Sequence, residues 1–200
     1  VEPLDPVEVR VLGSLIEKDL STPEYYPLTL NAVQNACNQK SSRDPVVHYD
    51  EETVAGALES LHAKGWVRRI SGAGHRVEKF SHRMGEVFNL GRRELAILCV
   101  LMLRGPQTAG ELRSRSERMH EFSDLEEVQH VLEGLAARTP PLAAAAARGR
   151  WAHLWHAPGE ALENGPAAGS SPGLAERVAN LEREVAQLKE DFASLRRQFE

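Results

Sequence analysis

Cysteine is almost missing from this chain. Cys37 and Cys99 are the only two in 200 residues, and they stand in unrelated segments with no C-x-x-C spacing. A disulfide framework and a zinc knuckle are therefore excluded, and two free thiols fit a reducing compartment. Long apolar runs are missing too. No stretch of about eighteen consecutive apolar residues occurs, so no membrane span is expected. The opening "VEPLDPVEVR" lacks the basic-then-apolar layout of a secretion signal, and a cytoplasmic protein is the expectation. Positive charge is in deficit: 24 Lys and Arg against 29 Asp and Glu give a formal net charge of -5. That excludes a surface attracting nucleic acid all over and confines any such role to a local patch. Glycine-rich phosphate loops, serine elbows and metal-spaced clusters are also absent, so no enzyme, cofactor or metal site is expected. His153 and His156 in "HLWH" are three residues apart, which on a strand turns them to opposite faces.

What is present is helical periodicity with sharp start and stop signals. Asp5-Pro6-Val7-Glu8 reads as a capping box with proline at the first helical position. Val9, Leu12, Leu15 and Ile16 then recur at helical spacing to about Asp19, where "STPEYYP" interrupts. A second helix is expected from about Leu28 to Gln39, with Leu30, Val33 and Cys37 inward. After the turn "KSSRDP", Asp50 caps a third helix whose stripe is Val54, Leu58 and Leu61. "WVRRI", the turn "SGAG" and "HRVEKFSHR" read as a two-stranded hairpin.

The pattern then returns. "RRELAILCVLMLR" (Arg92 to Arg104) is a helix ended by Gly105-Pro106, and "QTAGELRSRS" is a second with Thr108 and Glu111 in capping-box register. A third is expected to open at Ser123 with Glu126 three residues on. It repeats the earlier stripe as Val128, Leu132 and Leu135, an offset of 74. "PLAAAAARGRWAHLW" reads as a hairpin around Arg148-Gly149, with a helical alanine run as the alternative.

The expected fold class is mainly α with small β-hairpins: two tandem winged helix-turn-helix domains plus a C-terminal coiled-coil helix. The expected boundaries are residues 1–88 and 89–157 for the two domains, 158–173 for a flexible Pro/Gly/Ala/Ser linker, and 174–200 for the coiled coil. In that tail Leu174, Val178, Leu181, Val185, Leu188, Phe192, Leu195 and Phe199 alternate by four and three residues. Valine at a and leucine at d favour two parallel strands. The cross-strand pairs Arg177 with Glu182, Glu184 with Lys189 and Asp191 with Arg196 are all attractive. A parallel homodimer is the expectation, and a helix folded back on its own chain is the alternative.

Two long runs, "EKDLSTPEYYPLTLNAVQNACNQKSSRDPV" and "LRGPQTAGELRSRSERMHEFSDLEEV", carry a family likeness. On them the chain resembles the YceH-like family of bacterial proteins from about Leu4 to His156. The resemblance implies two winged-helix domains in tandem and implies no biochemical activity.

For function the residues offer two surfaces. Asn35, Asn38, Gln39, Lys40, Ser42 and Arg43 bring several donors and two positive charges to the end of the second helix and its turn. Arg68, Arg69, Arg76, Lys79 and Arg83 against Glu78 give the first hairpin a local charge of +4. Together they suit double-stranded DNA held by its phosphates and not read by its bases. The third helices argue against groove reading: Glu51, Glu52 and Glu59 in the first, and Glu126, Glu127 and Glu133 in the second, would face phosphates with like charge. The plain alternative is that the amides satisfy a helix end and the arginines are solvated. "RSRSER" (Arg113, Arg115, Arg118) reads as a solvated, self-paired helix face. Arg148 and Arg150 are weak phosphate candidates. The rival function is a protein–protein adaptor whose acidic third helices and coiled coil dock an unknown protein partner.

Overall fold

In the computed structural model, which describes residues 2–71 and 77–155, Asp5 opens α1 (Pro6–Ser21) with both halves of the capping box made. The Asp5 carboxylate accepts from the N–H groups of Val7 and Glu8 at 2.7 and 2.8 Å, and Glu8 accepts from the Asp5 N–H at 2.9 Å. Donors left over at the helix start are thereby satisfied. After α1 the chain forms β1 (Leu28–Thr29), α2 (Leu30–Cys37), α3 (Glu51–Ala63), and the hairpin β2 (Val67–Ile70) and β3 (Lys79–His82). A one-turn helix α4 (Met84–Val87) leads into the second half. That half repeats the order as α5 (Arg92–Arg104), β4 (Gln107–Thr108), α6 (Ala109–Ser116), α7 (Leu125–Ala136), β5 (Ala143–Ala146) and β6 (Arg150–His153). The fold is mainly helical, with two small antiparallel sheets of order β1-β3-β2 and β4-β6-β5.

Strands β1 and β4 escape sequence reading because two residues show no period. Their partners define them: Leu28 lies opposite Phe80 and Thr29 opposite Lys79, while Gln107 lies opposite Trp151 and Thr108 opposite Arg150. Thr29 and Thr108 serve twice, ending a strand and capping the next helix through their hydroxyls. Consequently α2 starts at Leu30 and not at Leu28.

The start of α7 also differs from expectation by one residue. Asp124, not Ser123, is the cap and accepts from the Glu127 N–H at 2.8 Å, while Glu127, not Glu126, reaches back to the Ser123 N–H at 3.0 Å. Alanine, the best helix former, nevertheless runs as a strand from Ala143 to Ala146 because β6 lies alongside and pairs its backbone.

Each repeat cannot bury its own apolar surface alone. Helix α5 is buried at every position from Leu95 to Leu103, and α1 is buried nearly all round. The reason is that α1 and α5 pack on each other at the centre, making one continuous core from both repeats within a single compact unit of the described residues. Gly13 permits the close crossing: a Cβ there would lie 3.0 Å from Leu103 Cδ2 and 3.1 Å from Met102 Cβ. At the same crossing the Cys99 thiol donates to the Gly13 carbonyl at 3.3 Å. Both cysteines are buried in the core, and burial pushes both thiols up in pKa.

Further ties join the halves. Arg92 donates to the carbonyls of Leu20 and Met119, each at 2.7 Å. Trp66, Phe88 and Trp155 meet edge to face at centroid distances of 5.2 to 6.4 Å, pairs that contribute about 0.5–1.5 kcal/mol each.

Candidate functional site

Thirteen residues, 38–50, connect α2 to α3, whereas eight, 117–124, connect α6 to α7. The five extra residues are the polar turn. Two buried arginines hold it. Arg43, read from sequence as a phosphate contact, is buried: its guanidinium donates to both Glu17 oxygens at 3.0 and 2.6 Å and to the Ala36 carbonyl at 3.1 and 2.8 Å. Burial works against the ionised Glu17 carboxylate, but the bonds and charge of Arg43 prevail and hold its pKa below the ordinary value. Arg10 donates to the carbonyls of Cys37 and Pro45, the latter at 2.6 Å. The turn then reaches the other repeat, where the Asp44 N–H donates to the Leu103 carbonyl at 2.9 Å.

The remaining turn residues divide. Asn38 is structural, donating to the Tyr49 carbonyl and accepting from the Tyr49 N–H, both at 2.8 Å. Gln39 accepts from Arg43 and Lys18 at 3.3 and 3.4 Å, and Asn35 bonds Asn31 one helical turn away at 3.0 Å. Lys40 and Ser42 are exposed and have no side-chain partner among the described residues.

The first hairpin carries its cations outward but not alone. Arg68 and Arg83 share one carboxylate, Glu86, at 3.2 and 3.1 Å. The Arg83 bond, with Arg68 beside it, holds the exposed Glu86 below its ordinary pKa. Arg69 pairs with Glu59 of α3. Lys79 has no ion-pair partner among the described residues. The local charge read from the hairpin alone is thus reduced by acids from α3 and α4: Glu59 lies ten residues from Arg69 and Glu86 eighteen from Arg68, while Glu86 stands only three from Arg83. Arg76, and the tail positions Leu174, Val178, Leu181, Val185, Leu188, Phe192, Leu195 and Phe199, lie outside the described residues.

A third surface was not legible in the sequence. Between the repeats lies a cleft of about 650 Å³, lined by the ends of α1, α2, α5 and α6. Lys18, Lys40, Arg104, Arg115 and Arg118 line it against one carboxylate, Glu17, already held by Arg43. Its floor is Val100, Leu103 and Met119, all buried. Arg115 does pair with Glu111 at 3.4 Å, as a self-paired face would. Arg118 has no partner among the described residues. Arg150, in turn, bonds Glu111 at 3.2 Å, while Arg148 is exposed at the tip with φ of 59°.

Among the described residues no three or more His, Cys, Asp or Glu side chains cluster as metal ligands, and no helix is long and apolar enough to cross a membrane.

Comparison with known proteins agrees with the family likeness. Residues 4–150 match the family model described as "Protein of unknown function, DUF480". A "UPF0502 protein" of Solibacter usitatus (strain Ellin6076) is 52% identical over 203 residues, covering 98% of both chains. One of Geotalea uraniireducens (strain Rf4) is 50% identical over 206 residues, covering 97% of this chain and 94% of its own. In another, from Citrifermentans bemidjiense, 141 residues match at 62% identity, 70% of this chain and 65% of that protein. Since the match takes in both repeats, the polar turn and every element lining the cleft, the chain belongs to the DUF480 family.

Proposed function

We propose that the chain is a non-enzymatic protein of two tandem winged-helix domains that associates with double-stranded DNA through the phosphate backbone, its copies paired by a parallel coiled coil of the tail. The winged-helix reading is supported by element order: helix, short strand, two helices and a hairpin occur twice, with the first short strand joining the hairpin in each sheet. One observation carries the functional reading. On the first hairpin Arg68 and Arg83 share the single carboxylate of Glu86 and Lys79 has no ion-pair partner among the described residues, so cations remain that a phosphate can recruit. Backbone contact is favoured over base reading because Glu51 and Glu52 stand exposed at the start of α3.

Binding to random duplex DNA across a salt series tests this. Neutralising about four phosphates gives a log–log slope of roughly -3.6, or about a hundredfold loss between roughly 50 and 200 mM salt. Replacing Arg68, Arg69, Arg76 and Lys79 with alanine should abolish binding and leave the circular dichroism unchanged; unaltered affinity rejects the wing as the contact. A monomeric mass by light scattering at micromolar concentration, unchanged on cutting at Gly173, rejects the dimer.

A second reading, an adaptor for a basic protein segment, is favoured by a groove of about 420 Å³ along α3. Asp5, Asp50 and Glu52 line it, and no cation does. Charge reversal at Glu52 that leaves a co-purifying partner bound argues against that groove.

A further inference from the structure

We propose that the cleft between the two repeats is a binding site for a small oligophosphate: two or more linked phosphoryl groups, free or carried on a compact body. This site is separate from the first hairpin and does not depend on DNA binding. Its size lies within the range of small-molecule sites, roughly 300–1,000 Å³. Its charge comes from both repeats: Lys18 of α1 and Lys40 of the turn on one side, Arg104, Arg115 and Arg118 on the other.

A plainer account of these cations is that they offset helix C-termini, since α1, α2, α5 and α6 all end at this cleft. Four such ends amount to roughly two negative charges, about half a charge each. Five cations exceed that. Arg115 pairs with Glu111 at 3.4 Å, and Glu17, both of whose oxygens Arg43 holds, has Lys18 3.6 Å away, so the excess rests on Lys40, Arg104 and Arg118, which have no ion-pair partner among the described residues. The crowding is visible at Arg104, where burial and then the neighbouring positive charges of Arg115 and Arg43 all lower the guanidinium pKa. An anion placed among them relieves that repulsion.

The chemistry of the wall favours phosphate. Guanidinium groups offer paired N–H donors that match phosphoryl oxygens. Ser41 and Ser42 are exposed hydroxyls with no partner among the described residues, and so are available as donors. Ser21 and Thr22 already donate to the Glu17 and Lys18 carbonyls and leave only acceptor lone pairs. The buried floor of Val100, Leu103 and Met119 suits an uncharged portion of the ligand. Geometry favours a small ligand over a duplex. The cleft is concave and its walls are tied together by Arg43 to Glu17, Asp44 to Leu103 and Arg92 to Leu20 and Met119. A rigid double helix, about 20 Å across, touches only its rim.

The test is isothermal titration of the full chain at low ionic strength with sodium triphosphate, ATP, inorganic phosphate and adenosine. Expected are saturable binding of triphosphate and ATP at one per chain, at least tenfold weaker binding of phosphate, and none of adenosine. Triphosphate bound more tightly than ATP assigns the site to a free oligophosphate; the reverse order assigns it to a nucleotide. Lys40→Ser with Arg118→Ser should weaken triphosphate at least tenfold. Neither side chain has a partner among the described residues, so the fold should survive, and an unchanged melting temperature without ligand checks this. The alanine variant of the first hairpin should bind triphosphate as the wild type does, which separates this site from the DNA reading. Absence of saturable triphosphate binding at millimolar concentration overturns the proposal, as does binding unaffected by the double variant. Binding of single-stranded oligonucleotide that the double variant abolishes, with no triphosphate binding, overturns it in favour of a nucleic-acid channel.

Discussion

Replacing Arg43 with methionine keeps a long apolar stem and removes only the guanidinium. In the native protein that group sits with its side chain 0% exposed against a Glu17 side chain 15% exposed. Removing one partner of a buried pair costs about 3–5 kcal/mol, because the other charge is left stranded. Losing the bonds to the Ala36 carbonyl adds about 1 kcal/mol. Two features reduce the total: Glu17 keeps some contact with water, and Lys18 stands 3.6 Å from its Oε2. The net expectation is a loss of about 3 kcal/mol at neutral pH. Urea unfolding followed by far-UV circular dichroism reads it. With m of about 2 kcal/mol/M the midpoint falls by about 1.5 M at unchanged m. Combining Glu17→Met with Arg43→Met strands no charge, so the double variant should be more stable than Arg43→Met alone, with a coupling of about 1–3 kcal/mol. A loss below about 1 kcal/mol would refute the reasoning and return Arg43 to the surface.

Two glycine substitutions should act in opposite directions. Gly56→Ala in α3 meets nothing within 4 Å and should stabilise by about 0.5–1 kcal/mol. Gly13→Ala forces α1 from α5 and should destabilise by about 1–2 kcal/mol despite better helix propensity; equal shifts in thermal midpoint contradict the close crossing. In acid, Glu8 and Glu17 should both contribute. Lys64 and Ser60 hold Glu8, as Arg43 holds Glu17, below the ordinary 4.5 despite burial. The unfolded chain takes up protons first as pH falls, so their contribution is complete above about 4.5 and declines as pH drops through the folded values. Glu8→Gln with Glu17→Gln should flatten stability against pH below 4.5, and parallel slopes for variant and wild type count against it. Maleimide should label Cys37 and Cys99 only through opening of the core; labelling at the rate of an unfolded control contradicts their burial.

Local chemistry determined the helices. Asp5, Asp50 and Thr108 are caps whose partners lie two or three residues away, and the stripes Val54-Leu58-Leu61 and Val128-Leu132-Leu135 show two like units because period and repeat are properties of neighbours along the chain. Even the longer polar turn is written there: Thr29 and Thr108 are 79 apart while Asp50 and Asp124 are 74 apart. One further clue stood in plain view, since "LAILCVLML" is apolar on every side and such a helix must be central. Tertiary structure alone decided what the charges do. Arg43 looks like its exposed neighbour Lys40 until Glu17, 26 residues earlier, arrives beside it. Glu59 reaches Arg69, and Glu86 reaches Arg68, only through the tertiary fold, whereas Arg83 meets Glu86 three residues on along the chain. Lys18 and Arg118 are a hundred positions apart in the chain. They line one cleft because α1 and α5 cross at Gly13, and the energy of a charge depends on distances that no linear pattern contains.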